Sequence, residues 1–123
     1  MPYPTLTKNL HYEVELVVAI HKGGKNITAN HEEHIFGYAV GLDMTRRDLQ
    51  AECKKLQRPW SIGKGFDFSS PLGPITPRNE AKGIEQAEIS LSVNGDLKQK
   101  SSIDKLINNI PQLIEHISQA WEL

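Results

Sequence analysis

The chain has 123 residues, of which 38% are apolar and 24% charged, and its formal net charge is −1. This length fits one domain, and the balanced charge does not favour a nucleic acid or an anionic membrane as a partner. The only cysteine, Cys53, excludes an internal disulfide, and the longest apolar run, Leu16 to Ile20, is far too short to span a bilayer. Because the first ten residues also lack the apolar stretch of a signal peptide, we expect a cytoplasmic protein.

The first half of the chain predicts two strands and a helix. Apolar and polar side chains alternate from His11 to Ile20, which indicates a strand. A turn is expected over 21–26, and a short helical turn over 30–34, with Thr28 or Asn30 as its cap. Ile35 to Asp43 is rich in β-formers and predicts a second strand, and the Thr45-Arg46-Arg47-Asp48 stretch predicts a capped helix that ends near Leu56.

The second half begins with a Pro- and Gly-rich connection over 57–83, whose length indicates a functional or a disordered segment. Its aromatic residues argue against disorder. Strands are expected over 87–93 and 97–101, joined by a type I′ turn at Asn94-Gly95. Apolar residues then recur at helical spacing from Ile103 to Ile117, and Pro111 should kink or split this helix. These elements predict a strand-rich α+β fold.

Several polar residues could carry chemistry. Glu13 and Glu15 stand two apart on the first strand, so their carboxylates share a face and could hold a hard divalent cation, or could simply remain solvated at a strand edge. Asp43, at the end of the second strand, is either a further ligand or a turn-former. Arg47 and Gln50 lie one helical turn apart, where the arginine could grip a carboxylate or form a surface ion pair.

The remaining candidates are weaker. Lys64 is flanked by glycines that allow close backbone approach to a ligand, although a lone loop lysine is usually only solvated. The histidines of His31-Glu32-Glu33-His34 are three apart rather than four, which favours a solvated helical turn over a zinc site. Cys53 has no histidine nearby in sequence, so an idle thiol is favoured over a nucleophile.

In order along the chain, these stretches resemble the fumarylacetoacetate hydrolase family. The motifs that carry the resemblance are His11-Tyr12-Glu13-Val14-Glu15-Leu16, Phe36-Gly37-Tyr38 to Asp43, Arg47-Asp48-Leu49-Gln50, Trp60, Gly63-Lys64-Gly65-Phe66-Asp67, Pro71-Leu72-Gly73-Pro74 and Val93-Asn94-Gly95. The resemblance covers nearly the whole chain and is strongest to bacterial fumarylpyruvate hydrolase-like members.

The resemblance implies a mixed β-roll, usually dimeric, and a Mg²⁺- or Mn²⁺-dependent hydrolase or decarboxylase of dicarbonyl acids such as acylpyruvates, fumarylpyruvate or oxaloacetate. By the family motifs, Glu13, Glu15 and Asp43 would bind the metal. Arg47 and Gln50 would hold the substrate, and Lys64 would contact the substrate and act in catalysis. The expected partner is therefore a small dicarbonyl acid, within a homodimer or higher oligomer.

The sequence departs from the family pattern at both ends of the chain. A family segment resembling NYxxHAxE, which carries a water-activating His–Glu pair, has no counterpart here, and neither have the later PGD and GTPxGVG stretches. We therefore expect residues 1–123 to be a single partial catalytic domain, truncated at both ends. The alternative is an inactive remnant that retains the metal-binding core as a structural or binding piece. A metal-independent binding domain would require the carboxylates to point apart into solvent.

Overall fold

The computed structural model describes all residues from Met1 to Leu123. Its strands are β1 (Leu10–His11), β2 (Val14–Ile20), β3 (Ile35–Leu42), β4 (Thr45–Arg46), β5 (Thr76–Pro77), β6 (Glu88–Val93) and β7 (Asp96–Ser102). Its α-helices are α1 (Arg47–Lys55), α2 (Ser61–Lys64) and α3 (Ile110–Ala120), and short 3-10 helices cover His31–His34, Ile84–Gln86 and Ile103–Lys105. No helix combines the length and the apolar character that crossing a bilayer requires.

The chain divides into two compact units, each made of separate segments. The first unit contains residues 1–15 and 41–73, and the second contains 16–40 and 74–123. Both strands predicted in the first half are confirmed, except that the first breaks at Tyr12 and Glu13 between β1 and β2. The predicted helix is confirmed as α1, which begins two residues later than expected.

In the first unit, β1 pairs antiparallel with β4, with Leu10 opposite Arg46. The expectation of a side-chain cap at the start of α1 is wrong: no side chain caps the helix, and Thr45 lies in β4, where its hydroxyl donates to the carbonyl of Asp43 at 3.1 Å. Thr45 is fully buried, so this bond satisfies a hydroxyl that has no access to water. The Pro- and Gly-rich connection is ordered here as α2 and the loop around it.

In the second unit, β2, β3 and β5 form one sheet in that order, and Gly37 faces Pro77 across the antiparallel β3–β5 pair. A Cβ atom on Gly37 would lie 2.2 Å from the carbonyl oxygen of Thr76, so only glycine fits this close approach. The core of this unit is a cluster of buried side chains from the sheet, its flanking loop and α3. Its members are Ile27, Ile35, Tyr38, Ile110 and Ile114.

The predicted hairpin is confirmed as β6 and β7, which pair antiparallel around Asn94 and Gly95. Both turn residues have positive φ, 53° and 88°, as the expected type I′ turn requires. Asn30 occupies the expected N-cap position before the 3-10 helix, but it is in a left-handed conformation and its side chain forms no capping hydrogen bond.

The apolar segment after the hairpin is split, as predicted, but Pro111 does not cause a kink. It lies in the first turn of α3, where its missing N–H has no helical partner to lose. Asn109 precedes the helix and forms a capping box with Gln112: its side chain accepts from the backbone N–H of Gln112 at 3.0 Å, and its own N–H donates to the Gln112 side chain at 2.9 Å.

Candidate metal centre

Three acidic side chains of the first unit converge where β2 begins and β3 ends. Glu13 immediately precedes β2, Glu15 is its second residue, and Asp43 follows the last residue of β3. A backbone hydrogen bond of 2.9 Å from the N–H of Asp43 to the carbonyl of Glu13 joins the two segments. One carboxylate oxygen from each residue lies within 4.8 Å of the others. The three predicted ligands are therefore brought together, and the reading in which they point apart is excluded.

Lys64 reaches this cluster from α2, 51 residues after Glu13. Its ammonium donates to Oε2 of Glu13 and to Oδ2 of Asp43, both at 2.6 Å. The single turn of α2 ends here, with the N–H of Gly65 bonded to the carbonyl of Ser61 at 2.7 Å. A one-turn helix and the loop that follows it thus deliver one cation to two of the three acids.

Arg47 and Gln50 lie beside the same cluster. The guanidinium of Arg47 donates to Oε1 of Glu13 and to Oε1 of Gln50, each at 2.8 Å. Gln50 is buried in α1, and a Cβ atom on Gly63 would lie 3.2 Å from its Cα, Cβ and N atoms. The glycine before Lys64 therefore lets α2 pack directly on the backbone of α1, which fixes the distance between these two helices.

The surroundings shift the pKa values of the acids in opposite directions. Burial raises the pKa of Glu13, but hydrogen bonds from Lys64 and then Arg47 outweigh it and hold that pKa below its ordinary value. Partial desolvation, together with the negative charges of Asp43 and Glu13, raises the pKa of Glu15 despite an opposing effect of Lys64. Burial lowers the pKa of Lys64, but its bonds to Asp43 and Glu13 outweigh it and raise the pKa overall.

This donor set fits a hard divalent cation. The three carboxylates carry one more formal charge than Lys64 and Arg47 neutralise, and Glu15 receives no hydrogen bond from either cation. Carboxylate oxygens are the ligands that Mg²⁺ and Mn²⁺ prefer, and such an ion would remove the repulsion that raises the pKa of Glu15. The two cationic side chains beside it are suited to an anionic ligand.

Other candidate residues lie away from this cluster. His11 bonds to the side chain of Asn9 at 2.9 Å, and His34 bonds through Nδ1 to the carbonyl of Lys22 at 2.7 Å. Cys53 is buried on α1 and lines a cavity of about 330 Å³ together with Leu49 and Ile62. None of these three groups reaches the acidic cluster.

Arg46 is a residue that sequence reasoning missed. It is buried, its guanidinium lies 4.3 Å from the centre of the Phe66 ring, and Nη1 donates to the carbonyl of Ile62 at 3.4 Å. It therefore contacts the α2 segment on both sides of Lys64. The sequence motif singles out Arg47, and nothing in the local pattern indicates that Arg46 is buried.

A carboxylate triad with a lysine, an arginine and a glutamine on an α+β scaffold defines a candidate centre for a divalent cation and an anionic ligand. Comparison with known proteins identifies the family to which this scaffold belongs. The family model described as fumarylacetoacetate hydrolase, C-terminal, matches residues 1–123. The chain therefore belongs to the fumarylacetoacetate hydrolase family, and the predicted family and α+β fold class are confirmed.

The similar proteins include enzymes of two kinds. A fumarylpyruvate hydrolase of Ralstonia sp. is 45% identical over 122 residues, which are 98% of this chain and 63% of that protein. A mitochondrial oxaloacetate decarboxylase of Dictyostelium discoideum is 35% identical over 98% of this chain and 56% of its own length. The crystal structure of fumarylpyruvate hydrolase from Pseudomonas aeruginosa, in complex with Mn²⁺ and pyruvate, is 50% identical and superposes with a TM-score of 0.94, over 98% of this chain and 52% of that one. The chain thus spans between about half and two-thirds of the length of these relatives.

Proposed function

We propose that this chain carries the metal- and substrate-binding core of an enzyme that acts on carbon–carbon bonds of dicarbonyl acids. The observation that carries this proposal is the convergence of the Glu13, Glu15 and Asp43 oxygens within 4.8 Å, beside two cationic side chains. The Mn²⁺ and pyruvate bound by the relative from Pseudomonas aeruginosa support a divalent metal and a 2-oxo acid. The substrate class is accordingly the acylpyruvates, fumarylpyruvate or oxaloacetate.

Glu13, Glu15 and Asp43 would hold the ion, which we propose to be Mg²⁺ or Mn²⁺. When bound there, the ion supplies a Lewis acid beside the substrate oxygens. Glu15 is the most available of the three acids, because Lys64 and Arg47 both bond to Glu13 and Lys64 also bonds to Asp43. Burial and, after it, the negative charges of Asp43 and Glu13 raise the pKa of Glu15, and these same negative charges would attract a dication.

The neighbouring side chains would bind and orient the substrate. Arg47 is held on two sides, by Glu13 and Gln50, so its guanidinium has a fixed direction from which a remaining N–H can donate to a substrate carboxylate. Gln50 keeps the guanidinium in that direction. Lys64, as the proposed catalytic residue, would donate its ammonium protons to the oxygen that gains negative charge when the carbon–carbon bond breaks.

For this chain we propose the decarboxylation of oxaloacetate as the reaction that these groups support. Breaking the C3–C4 bond releases CO₂ and leaves the enolate of pyruvate, which takes one proton at C3 to give pyruvate. Hydrolysis of an acylpyruvate needs, in addition, a general base that activates water. The side chains at the cluster are carboxylates, cations and an amide, all of which the proposed roles already use.

The first experiment is calorimetric titration with Mn²⁺. Wild-type protein should bind one ion per chain. The affinity of Glu15→Ala for Mn²⁺ should be lower by at least about tenfold, since one of three charged ligands is removed. Glu52→Ala is the matched control, because Glu52 is an exposed acid of the same unit on α1 and should leave the affinity unchanged. Equal binding by Glu15→Ala and wild type, or none in either, contradicts the proposed site.

The second experiment separates an enzyme from a non-catalytic remnant. Pyruvate formation from oxaloacetate is followed with Mn²⁺, with EDTA, and with Lys64→Met, each corrected for the rate that free Mn²⁺ alone produces. A protein-dependent rate that disappears with EDTA and falls with the variant supports the enzyme. Metal binding without any such rate favours the remnant. We also propose the homodimer that the family resemblance implies, which light scattering of the same samples tests.

A further inference from the structure

Arg46 is a buried cation that is not held by an acid. Only 8% of the residue is exposed, and its Nε has no hydrogen-bond partner. The acids of the candidate metal centre pair with Lys64 and Arg47 instead. Burying a charge without an opposite charge costs stability, so charge pairing does not explain why this side chain turns inward.

The contacts that Arg46 does make are with the segment around α2. Its Nη1 donates to the carbonyl of Ile62 at 3.4 Å, and its guanidinium carbon lies 4.3 Å from the centre of the Phe66 ring. These two residues lie two positions before and two positions after Lys64. A planar guanidinium can stack through its face while it donates from its edge, so one side chain contacts the segment on both sides of the lysine.

The backbone of Arg46 is a fixed base for these contacts. It lies in β4, which pairs with β1. The N–H groups of Met44 and Arg47, on either side of β4, bond to the carbonyls of Ser69 and Asn9 at 2.8 and 2.9 Å. The guanidinium therefore extends to α2 from a strand that is hydrogen-bonded along its length.

The backbone hydrogen bonds of α2, in contrast, are local. The N–H of Lys64 bonds to the carbonyl of Trp60 at 3.1 Å, and the N–H of Gly65 bonds to that of Ser61 at 2.7 Å. A single helical turn is not stable by itself in water, because its nucleation is unfavourable. Contacts from other elements therefore decide where this turn lies, and Arg46 supplies two of them.

We propose that Arg46 is a positioning residue: it holds the carbonyl before Lys64 and the ring after it, and so fixes the backbone from which the lysine reaches the substrate. This inference rests on the proposed function, in which Lys64 donates to the substrate. The side-chain contacts of Arg46 are with Ile62 and Phe66 and not with the three acids. Loss of its guanidinium should therefore misplace Lys64 and leave metal binding intact.

Amide hydrogen exchange tests the positioning without any need for turnover. In Arg46→Met, which keeps an unbranched stem but removes the guanidinium, the amides of Lys64 and Gly65 should exchange at least about fivefold faster than in wild type. The amide of Leu56, bonded to the carbonyl of Glu52 on α1 at 3.0 Å, is the internal reference and should not change. Arg58→Met, at an exposed position of the same unit, is the matched control and should leave all three rates unchanged.

Phe66→Leu removes the ring contact from the other side while Arg46 stays in place. It should accelerate the same two amides, and it decides the matter if Arg46→Met does not fold. Wild-type exchange at Lys64 and Gly65 in folded Arg46→Met, or in Phe66→Leu when the first variant does not fold, overturns the positioning role. Acceleration at Leu56 by the same factor as at Lys64 also overturns it, because the whole unit has then loosened.

Kinetics with Mn²⁺ connect the position of α2 to the reaction. In Arg46→Met, kcat for oxaloacetate should fall by about fivefold or more, since a small displacement of a reacting group is costly. The Mn²⁺ affinity should stay within about twofold of wild type, because the acids are not touched. Arg46→Lys, whose ammonium can still lie over the Phe66 ring, should recover part of kcat.

Two kinetic results would contradict the positioning role: an unchanged kcat in Arg46→Met, or a loss of Mn²⁺ affinity in parallel with kcat, which indicates general disruption of the unit. Either one, with a normal wild-type rate, overturns this inference and leaves the proposed function standing. A wild-type protein that binds no Mn²⁺, or that binds it without any protein-dependent rate, overturns the proposed function, and with it the catalytic part of this inference.

Discussion

The guanidinium of Arg47 binds the carboxylate of Glu13, 34 residues earlier in the chain, with Nη2 2.8 Å from Oε1. The same group donates through Nη1 to Gln50, so one planar side chain connects the start of β2 to two positions of α1. A guanidinium can make both bonds at once because its donors form a rigid fork. The link between Glu13 and Gln50 thus depends on this single residue.

Arg47→Lys tests that dependence. Lysine keeps the charge but offers one compact ammonium, which cannot reach Glu13 and Gln50 together. We expect the free energy of unfolding in urea to fall by about 1 kcal/mol, the usual net contribution of one partly exposed hydrogen bond. Arg58→Lys, at an exposed position of the same unit, should change it by less than about 0.5 kcal/mol. Equal unfolding curves for the two variants would show that the Gln50 contact contributes nothing.

Gly63→Ala tests the packing of α2 on α1. The added methyl group would meet the backbone of Gln50 at 3.2 Å, so the two helices must move apart by a few tenths of an ångström. We expect the unfolding free energy to fall by about 1–3 kcal/mol, as for other overpacked contacts. Ser61→Ala, on the exposed side of α2, is the control. Stability equal to that of the control would mean that the contact is loose in solution.

Asp48 provides a prediction about pH. Its carboxylate accepts from the Thr7 hydroxyl and from the backbone N–H of Lys8, and these bonds, the Thr7 bond foremost, hold its pKa below the ordinary value. A depressed pKa in the folded state stabilises the fold above the ordinary pKa, and this stabilisation is lost as the pH falls through the folded value.

The expected result is a stability difference between wild type and Asp48→Ala that is constant at neutral pH. It should begin to shrink below about pH 4, near the ordinary pKa of an aspartate, and vanish in stronger acid. Urea unfolding between pH 7 and pH 3 measures it. Thr7→Ala should reproduce part of the same profile, because it removes the bond with the largest effect. A difference that grows as the pH falls would contradict the assignment.

Local patterns predicted the parts of this fold that local physics determines. The alternation over β2, the β-forming residues of β3 and the Asn94-Gly95 turn are features of neighbouring residues only, and all three predictions are confirmed. The kink expected at Pro111 is absent, because the effect of a proline depends on where the helix begins. The capping box of Asn109 and Gln112 starts α3 one residue before the proline, which turns a helix breaker into a first-turn residue.

The candidate centre was predictable as a set of residues but not as a set of contacts. The order of the motifs named Glu13, Asp43 and Lys64, yet the bond between Lys64 and Glu13 spans 51 positions and depends on how α2 packs. Arg46 shows the same limit. It is buried against Phe66, which lies twenty positions later and whose ring centre is 4.3 Å from its guanidinium, a contact that a local pattern does not predict.

Ser118 offers the sharpest stability prediction in the second unit. It is fully buried on α3, where its hydroxyl accepts from the backbone N–H of Ile27 and donates to the carbonyl of Glu115, both at 3.0 Å. Ser118→Ala leaves the N–H of a buried loop residue without a partner, which costs about 1–3 kcal/mol of unfolding free energy. Ser90→Ala, on the exposed face of β6, should cost less than about 0.5 kcal/mol.

In Ser118→Ala, the amides that lose protection from hydrogen exchange can also be predicted. Amide hydrogen exchange should accelerate at Ile27, whose N–H loses its acceptor, and at Asn26, whose N–H bonds to the Ser118 carbonyl at 2.9 Å. Exchange within the β6–β7 hairpin reports whether the whole unit has loosened instead. If the Ile27 amide exchanges at the wild-type rate in Ser118→Ala, a water molecule has replaced the hydroxyl, and the loss of stability should then be small as well.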